Sequence, residues 1–147
     1  MTTTALKADA RALGLAHYAA RAALESVLGR HGATFQQQIT LRLVVVAEGP
    51  VERAELVAQV VGSLKVATAE AEQVVEELTT KGLLSAEASR VLVTEAGREF
   101  YDTVSAESSK ISARVWGDIP EEDLAAAGRV LALVTERANA ELAAASV

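Results

Sequence analysis

Hydrophobic residues recur along most of the chain at the three- and four-residue spacing of amphipathic helices. This spacing predicts a first helix from about residue 6 to residue 30, which the glycines of "GRHG" end. The second half of the next predicted helix, "LRLVVVAEG", is apolar nearly all round, so we expect it to be deeply buried. The remaining helices are predicted over about 34–47 (which includes that segment), 53–60, 69–80, 95–116 and 121–143.

One short stretch departs from the helical pattern. An extended segment begins at residues 83–84, "SAEAS" at 85–89 reverses the chain, and the strand "RVLV" at 90–93 returns beside the first. Thr94 is then well placed to cap a new helix, and Glu95 in the first turn complements the helix dipole. The pattern therefore predicts a small β-hairpin that leads directly into a long helix.

Composition limits the possible class of protein. The 147 residues suffice for one domain with a core, and the low aromatic content of 3% makes that core mostly Ala, Val and Leu. The absence of cysteine excludes disulfides and thiolate zinc sites. His17 and His31 do not have the spacing of metal ligands, so we expect no metal and no other cofactor. Neither a membrane span nor a signal peptide is evident, which favours a cytoplasmic protein.

Catalysis has little support in the sequence. There is no Gly-x-Ser-x-Gly motif and no phosphate-binding loop. Adjacent acidic pairs such as Glu76–Glu77 and Glu121–Glu122 point to different faces of their helices and cannot act on one atom together. We therefore expect a protein that is not an enzyme.

Short helices, a turn, another helix and a hairpin make a winged helix-turn-helix, whose second helix enters the major groove of DNA while the wing contacts the neighbouring backbone or minor groove. The chain resembles the multiple-antibiotic-resistance regulator (MarR) family of bacterial transcription factors over nearly its whole length. The segments that carry the resemblance are "GP" at 49–50, "RAELVAQVVG" at 53–62, "VVEELTTKGLL" at 74–84, "VLVTEAGREF" at 91–100 and "EED" at 121–123.

The resemblance implies a mainly α fold with a β-hairpin wing. It implies a single MarR-like domain over 1–147, in which 34–99 form the winged helix-turn-helix and 1–33 and 100–147 form the helices of an obligate homodimer. It further implies a regulator of transcription that binds double-stranded DNA, as a repressor released by a small aromatic or lipophilic effector. The effector would bind in a cleft between the dimerisation and DNA-binding regions.

Two arginines are candidates for DNA contact. Arg90 lies at the wing, where it could enter the minor groove, or it could be a solvated hairpin residue paired with Glu87. Arg53 could contact phosphate, although an ion pair with Glu55 or Glu52 is the default interpretation.

Three further candidates lie in or after the turn of the helix-turn-helix. Lys65 and Thr68 are placed for phosphate contact, but Thr68 could equally be no more than the N-cap of its helix. Gln73 could read adenine through a bidentate contact, or it could be a plain surface residue.

The effector cleft has weaker candidates. His17, Tyr18 and Arg21 lie close together on the first helix and could line the cleft, although a role at the dimer interface is the stronger interpretation. Family position makes Tyr101 a further cleft candidate and Trp116 a packing residue at the interface.

The chain departs from the family pattern at its DNA-binding surface. The wing loop is short and lacks the Asp-x-Arg element, and Glu72 and Gln73 occupy positions where a hydroxyl residue and an arginine are common. Nine acidic and five basic residues between Glu48 and Arg98 give this region a net charge of −4, the reverse of a typical DNA-binding face. These departures keep a second hypothesis open, in which a MarR-fold dimer has lost ordinary DNA binding and acts as a ligand-binding or protein-interaction module.

Overall fold

The computed structural model describes residues 6–146 as a mainly helical protein with a small antiparallel sheet. The chain divides into two compact units, and the boundary between them lies within the fifth helix, between Ile111 and Ser112. The elements in chain order are α1 (Ala10–Arg30), α2 (Phe35–Val46), β1 (Val51–Glu52), α3 (Arg53–Leu64), α4 (Thr68–Thr80), β2 (Leu84–Glu87), β3 (Arg90–Val93), α5 (Glu95–Trp116) and α6 (Glu121–Ala145). This architecture confirms the predicted fold class, a winged helix-turn-helix formed by α3, α4 and the strands.

The first helix begins later than the spacing of apolar residues predicted. Asp9 is its N-cap, and the Asp9 carboxylate accepts a hydrogen bond of 2.8 Å from the backbone N–H of Ala12. The first turn needs such an acceptor because its N–H groups have no partners within the helix. The periodicity from Leu6 onward was therefore wrong about the helix start by several residues.

The helix-turn-helix differs from the prediction at its turn. Helix α3 continues to Leu64 rather than ending near Val60, and Lys65 ends it in the left-handed conformation with φ 57°. Ala67 is the N-cap of α4, without a side-chain cap bond, so Thr68 as N-cap was wrong. Thr68 is instead the first residue of α4, where its backbone is already helical.

The sheet has one strand more than the hairpin that the sequence predicted. Its order is β1-β3-β2, and β1 pairs with β3 through Val51 opposite Val91 and Glu52 opposite Arg90. Strand β2 continues to Glu87, so most of the predicted loop at 85–89 is strand and the reversal uses only residues 88–89. Ala88 adopts the left-handed conformation in this reversal, with φ 54°. Because the reversal uses only two residues, the wing is very short.

The core of the first unit lies beneath the winged helix-turn-helix. Inward faces of α2, α3, α4 and the sheet meet there, and the positions predicted to face inward on α3 and α4 are buried. The buried residues of this core are Leu41, Val44, Leu56, Val57, Val60, Ala71, Val74, Val75, Leu78, Leu84 and Val91. A smaller cluster joins Val27, Leu28 and Val104 of α1 and α5. Burial of each Leu or Val side chain contributes about 1.5–3 kcal/mol, so the larger cluster fixes α4 on α2 and α3 and the smaller one holds α1 against α5.

The expectation for the second half of α2 was correct only on one side. Leu41 and Val44 are completely buried, whereas Val46 is 59% exposed at the end of the helix. The second half of α2 is therefore buried on one face only, although nearly all of its residues are apolar.

The junction between wing and fifth helix is fixed by Thr94, as predicted. The Thr94 hydroxyl accepts a hydrogen bond of 2.9 Å from the backbone N–H of Gly97 and donates one of 2.7 Å to the carbonyl of Gly82. The Thr94 N–H donates to the carbonyl of Leu83 at 3.1 Å. One residue thus caps α5 and connects it to the segment that precedes β2.

The second unit contains the end of α5 and the whole of α6. Helix α6 starts after Pro120, with three acidic residues in its first turn, and has no buried residue within the described part of the chain. Its large apolar side chains are exposed, among them Val130, Leu131, Leu133, Val134 and Leu142. None of the helices within residues 6–146 has the length and apolar composition that would cross a membrane.

Candidate nucleic-acid interface

Helix α4 presents one apolar and one acidic face. Its apolar face enters the core, while Glu70, Glu72, Gln73 and Glu76 are exposed on the other side. In a winged helix-turn-helix this exposed face of the second helix is the surface that approaches the major groove. The chemistry available there is that of hydrogen-bond acceptors, since three of these four side chains are carboxylates.

The wing cation is held in an ion pair. The Arg90 Nε lies 3.3 Å from Oε1 of Glu52, and 60% of the Arg90 side chain remains exposed. Glu87 is the other cross-strand neighbour of Arg90, but the hydrogen bond goes to Glu52 on β1. The alternative prediction, that Arg90 is ion-paired, is therefore correct, but its partner is Glu52 and not Glu87.

Arg53 is paired as well, and again with a partner that the sequence did not indicate. Its Nη2 lies 3.1 Å from Oε2 of Glu76, on the exposed face of α4. The default interpretation of a pair with Glu55 or Glu52 was wrong, because the first turn of α3 directs Arg53 toward α4. The pair places one carboxylate of α4 beside Arg53.

Gln73 and Glu77 of α4 belong to a network that reaches the α1–α2 turn. Gln73 donates to Glu77 at 3.2 Å, and the buried Gln37 of α2 donates to the same carboxylate at 2.8 Å. Lys81, just after α4, donates to the side-chain oxygen of Gln37 at 2.8 Å and to the backbone carbonyl of Gly32. Gln73 is thus exposed but oriented by its neighbour.

Gln37 also takes part in the capping box of α2. Its backbone N–H donates to the Thr34 hydroxyl, while its side-chain oxygen accepts from the Thr34 N–H, each at 3.2 Å. Such reciprocal bonds satisfy two helix-end donors at once. The same side chain therefore fixes the start of α2 and contacts α4.

Lys65 and Thr68 lie at the turn, as predicted, and both are exposed. Across residues 6–146, neither side chain has a hydrogen bond or ion pair to another residue, so both can reach a ligand. The left-handed backbone of Lys65 sets the angle between α3 and α4. Within the same range, no group of three or more His, Asp or Glu residues has the arrangement of a metal site.

The candidates for an effector cleft do not come together at one place. His17 and Tyr18 are exposed on α1 with ring centroids 5.9 Å apart. Arg21 lies over the Phe35 ring at 4.4 Å and pairs with Glu25 at 2.9 Å. Tyr101 is half-buried and packs against the winged-helix core.

Arg21 borders a surface cleft of about 420 Å³ that the other three candidates do not line within the described residues. Phe35, Thr34 and Glu77 also line it, so the cleft extends from α1 to α4.

Two buried oxygens of α2, Gln38 Oε1 and Thr40 Oγ1, have no hydrogen-bond partner in the part of the chain described. The sequence analysis did not single out these two residues, since nothing in an apolar helix pattern marks a polar side chain as buried and unpaired.

A charged contact joins the end of α1 to α5. Oε2 of Glu107 lies 3.1 Å from His31 Nε2 and 3.2 Å from Arg30 Nη2. The hydrogen bonds from His31 and then from Arg30 lower the pKa of Glu107 below its ordinary value. The contact favours an ionised carboxylate on α5 at neutral pH.

The candidate DNA contacts could be identified from the sequence more readily than the residues with which they form ion pairs and hydrogen bonds. Glu76 had been counted only as a surface acid and Glu52 only as a possible partner of Arg53, and their observed pairing depends on contacts between distant segments. Lys81 stands in the Leu-x-x-Lys-Gly-Leu segment that carries the family resemblance, so a signal for its importance was present. Gln37 follows Thr34 by three residues, which is the spacing of a capping box.

These features define the chain as a winged-helix protein. Similarity to solved structures makes the class more specific, because the fold is that of MarR-family transcriptional regulators. CouR from Rhodococcus jostii RHA1, solved with p-coumaroyl-CoA, is 18% identical with TM-score 0.72, and the match covers 84% of this chain and 88% of CouR. Sco5413, a MarR-family regulator from Streptomyces coelicolor, is 16% identical with TM-score 0.72, over 88% and 91% of the two chains.

A third solved structure adds a regulatory example. BpsR from Bordetella bronchiseptica, whose DNA binding is regulated by 6-hydroxynicotinic acid, is 17% identical with TM-score 0.69, over 87% of this chain and 94% of BpsR. No protein-family model and no curated protein sequence matches the chain. Sco5413 and a further MarR-family structure, from Rhodococcus sp. RHA1, are transcriptional regulators.

Proposed function

We propose that the chain is a MarR-family homodimer that binds double-stranded DNA and represses transcription until a small ligand releases it. The observation that carries the proposal is the exposed face of α4 beside the short wing with Arg90, in the fold that these regulators share. Arg53, Lys65, Thr68, Gln73 and Arg90 are the residues that we propose contact DNA. Because its ligand would be chromosomal DNA, we propose that the protein acts in the cytoplasm.

The domain organisation in this proposal follows the family pattern. Residues 34–99 would form the DNA-binding part, and 1–33 and 100–147 the dimerisation helices of a single domain. The exposed apolar side chains of α6, such as Leu131 and Val134, support a dimer because a helix with such a surface needs a partner to cover it. Light scattering after size-exclusion chromatography tests this: a monomer at micromolar concentration would refute it.

Regulation in this proposal is geometric. A dimer presents two copies of α4, which must lie about one DNA turn, roughly 34 Å, apart to enter successive major grooves. A ligand that binds better to a dimer with another spacing shifts the population away from DNA binding. CouR, solved with p-coumaroyl-CoA, and BpsR, regulated by 6-hydroxynicotinic acid, support a ligand that contains an aromatic ring. We propose Arg21, which borders the cleft beside Phe35, as one of its contacts, and His17, Tyr18 and Tyr101 as the others.

Fluorescence anisotropy tests DNA binding. Purified protein is titrated against the intergenic DNA beside its own gene, with a scrambled duplex as control, over a series of salt concentrations. We expect preference for the intergenic duplex, with a modest salt dependence because few cations face the DNA. Arg90→Ala should weaken binding, and unchanged binding would reject the role proposed for Arg90.

A second candidate function has its own observation. The exposed face of α4 is acidic, and both nearby arginines are already paired, which would suit a MarR-fold dimer that binds a ligand or a protein instead of DNA. Failure to bind the intergenic duplex, followed by failure to enrich any fragment from a genome-wide selection, would favour this candidate.

A further inference from the structure

Both arginines beside α4 are neutralised by carboxylates of the same chain. Arg90 pairs with Glu52 and Arg53 pairs with Glu76. These are also the two arginines that the proposed function assigns to DNA contact. Their arrangement therefore bears on how the protein would bind a phosphate backbone.

Glu52 is placed to hold the wing rather than to cap its own helix. It is the N-cap residue of α3, yet its side chain makes no cap hydrogen bond. Instead, Oε1 accepts from Arg90 Nε at 3.3 Å and Oε2 accepts from the Ser89 hydroxyl at 2.8 Å. The backbone N–H of Arg53 donates to the Ser89 carbonyl at 2.9 Å, so the tip of the wing is connected to the start of α3.

Glu76 performs the corresponding role on α4. Its carboxylate lies on the exposed face, 68% accessible, and binds the guanidinium of Arg53. Two other acids nearby provide a contrast, because Glu55 and Glu72 are exposed and form no ion pair or side-chain hydrogen bond within residues 6–146. Two carboxylates are thus directed at arginines, while two comparable ones are not.

We propose that Glu52 and Glu76 hold the wing and α3 arginines in an autoinhibited arrangement, which DNA binding must open by replacing each carboxylate with a backbone phosphate. The proposal rests on the proposed function. Carboxylate and phosphate oxygens accept the same charge-assisted hydrogen bonds from guanidinium, so one can take the place of the other. Exposed ion pairs are weak, which makes the exchange accessible at ordinary salt.

The exchange has a consequence for the salt dependence of binding. A phosphate contact by a free arginine releases counterions from DNA and steepens the dependence of affinity on salt by about 0.9 per contact. In the wild type this term is partly offset, because salt also weakens the carboxylate pair that the arginine must leave. Removing the carboxylate should therefore raise both the affinity and the salt slope.

The test uses the full-length protein and a fluorescently labelled duplex of roughly 30 bp, about three DNA turns, that carries the intergenic sequence. Glu52→Gln and Glu76→Gln remove the charge while the amide oxygen can still accept from Ser89 or Arg53. Glu55→Gln and Glu72→Gln are the matched controls, since each removes one exposed charge that holds no arginine. Thermal unfolding confirms that all four variants are folded.

We expect Glu52→Gln and Glu76→Gln each to raise affinity roughly fivefold at low salt and to steepen the salt slope by less than about 0.9 per subunit. The controls should give a smaller gain, without that change in slope. If the paired and unpaired variants behave alike while the wild type binds, only net charge matters and the proposal is overturned.

A second measurement does not depend on DNA. Phenylglyoxal modifies free guanidinium groups, and mass spectrometry follows the modification of Arg90. We expect Glu52→Gln to accelerate this modification and Glu55→Gln to leave its rate unchanged; equal rates would overturn the pairing. If the pairing is found but the wild type and every variant fail to bind DNA, the proposed function fails and competition with phosphate is rejected with it.

Discussion

The close approach of α5 to the segment before β2 gives a quantitative test of the fold. A Cβ atom added at Gly97 would lie 2.0 Å from the carbonyl oxygen of Leu83 and 2.9 Å from its carbonyl carbon. That oxygen already accepts the Thr94 N–H at 3.1 Å. Gly97→Ala therefore requires the backbone of one segment to move by more than about 1 Å, because ordinary contacts between such atoms exceed about 3 Å.

The expected cost follows from three contributions. Overpacking of a rigid site costs about 1–3 kcal/mol, and weakening the Thr94–Leu83 hydrogen bond costs about 1 kcal/mol. The higher helix propensity of alanine offsets up to about 1 kcal/mol. We expect a net destabilisation of about 2 kcal/mol, which lowers the urea midpoint by roughly 1 M for an m-value of about 2 kcal/mol/M.

Urea unfolding followed by circular dichroism measures this change at a fixed protein concentration, since association would shift the midpoint. Gly62→Ala is the matched control. Gly62 lies in α3 with no atom within 4 Å of an added Cβ, so alanine there should raise stability by up to about 1 kcal/mol. An unfolding midpoint for Gly97→Ala at or above that of the wild type would refute the steric argument.

Three further predictions concern single side chains. Thr94→Ala should destabilise the fold by about 1–2 kcal/mol because α5 loses its cap, whereas Thr103→Ala should cost less than about 0.5 kcal/mol; urea midpoints distinguish them. Glu107→Gln should lower Tm at neutral pH but not in acid. Because the pKa of Glu107 is lowered in the folded protein, its carboxylate stabilises the fold at pH values above the ordinary pKa of about 4.3. That stabilisation is lost as the pH falls through the lower pKa of the folded protein. A Tm difference from wild type that persists at acid pH, or an equal effect of Glu99→Gln, would contradict this. Leu56→Ala should cost about 2–5 kcal/mol by calorimetry, and a loss below about 1 kcal/mol would mean that the site is not buried.

The sequence predicted the parts of the fold that depend on neighbouring residues. Helical spacing located α2, α4 and α5, and Thr94 was identified as a cap because its hydroxyl bonds only three residues along the chain. The two-residue strand β1 was not predicted, since nothing local distinguishes Val51 and Glu52 from a loop. They become a strand only because β3 lies beside them.

The candidate site shows the same division. Arg90 was identified as the wing cation, and Glu87, three residues before it, was the partner that the sequence suggested. Both Glu87 and Glu52 are cross-strand neighbours of Arg90 once the sheet forms, and the hydrogen bond goes to Glu52, 38 positions away. Which carboxylate binds depends on strand order and side-chain direction, and neither can be read from local spacing.

The bonds of Gln37 have a consequence for how the protein opens. Because this buried side chain joins the start of α2 to Glu77 and Lys81, melting α4 alone would take away the partner of its amide NH2 group. We expect the amide protons of α4 and of the first turn of α2 to exchange with solvent deuterium together, as one cooperative unit. Helix α4 would then unfold only when the start of α2 unfolds with it.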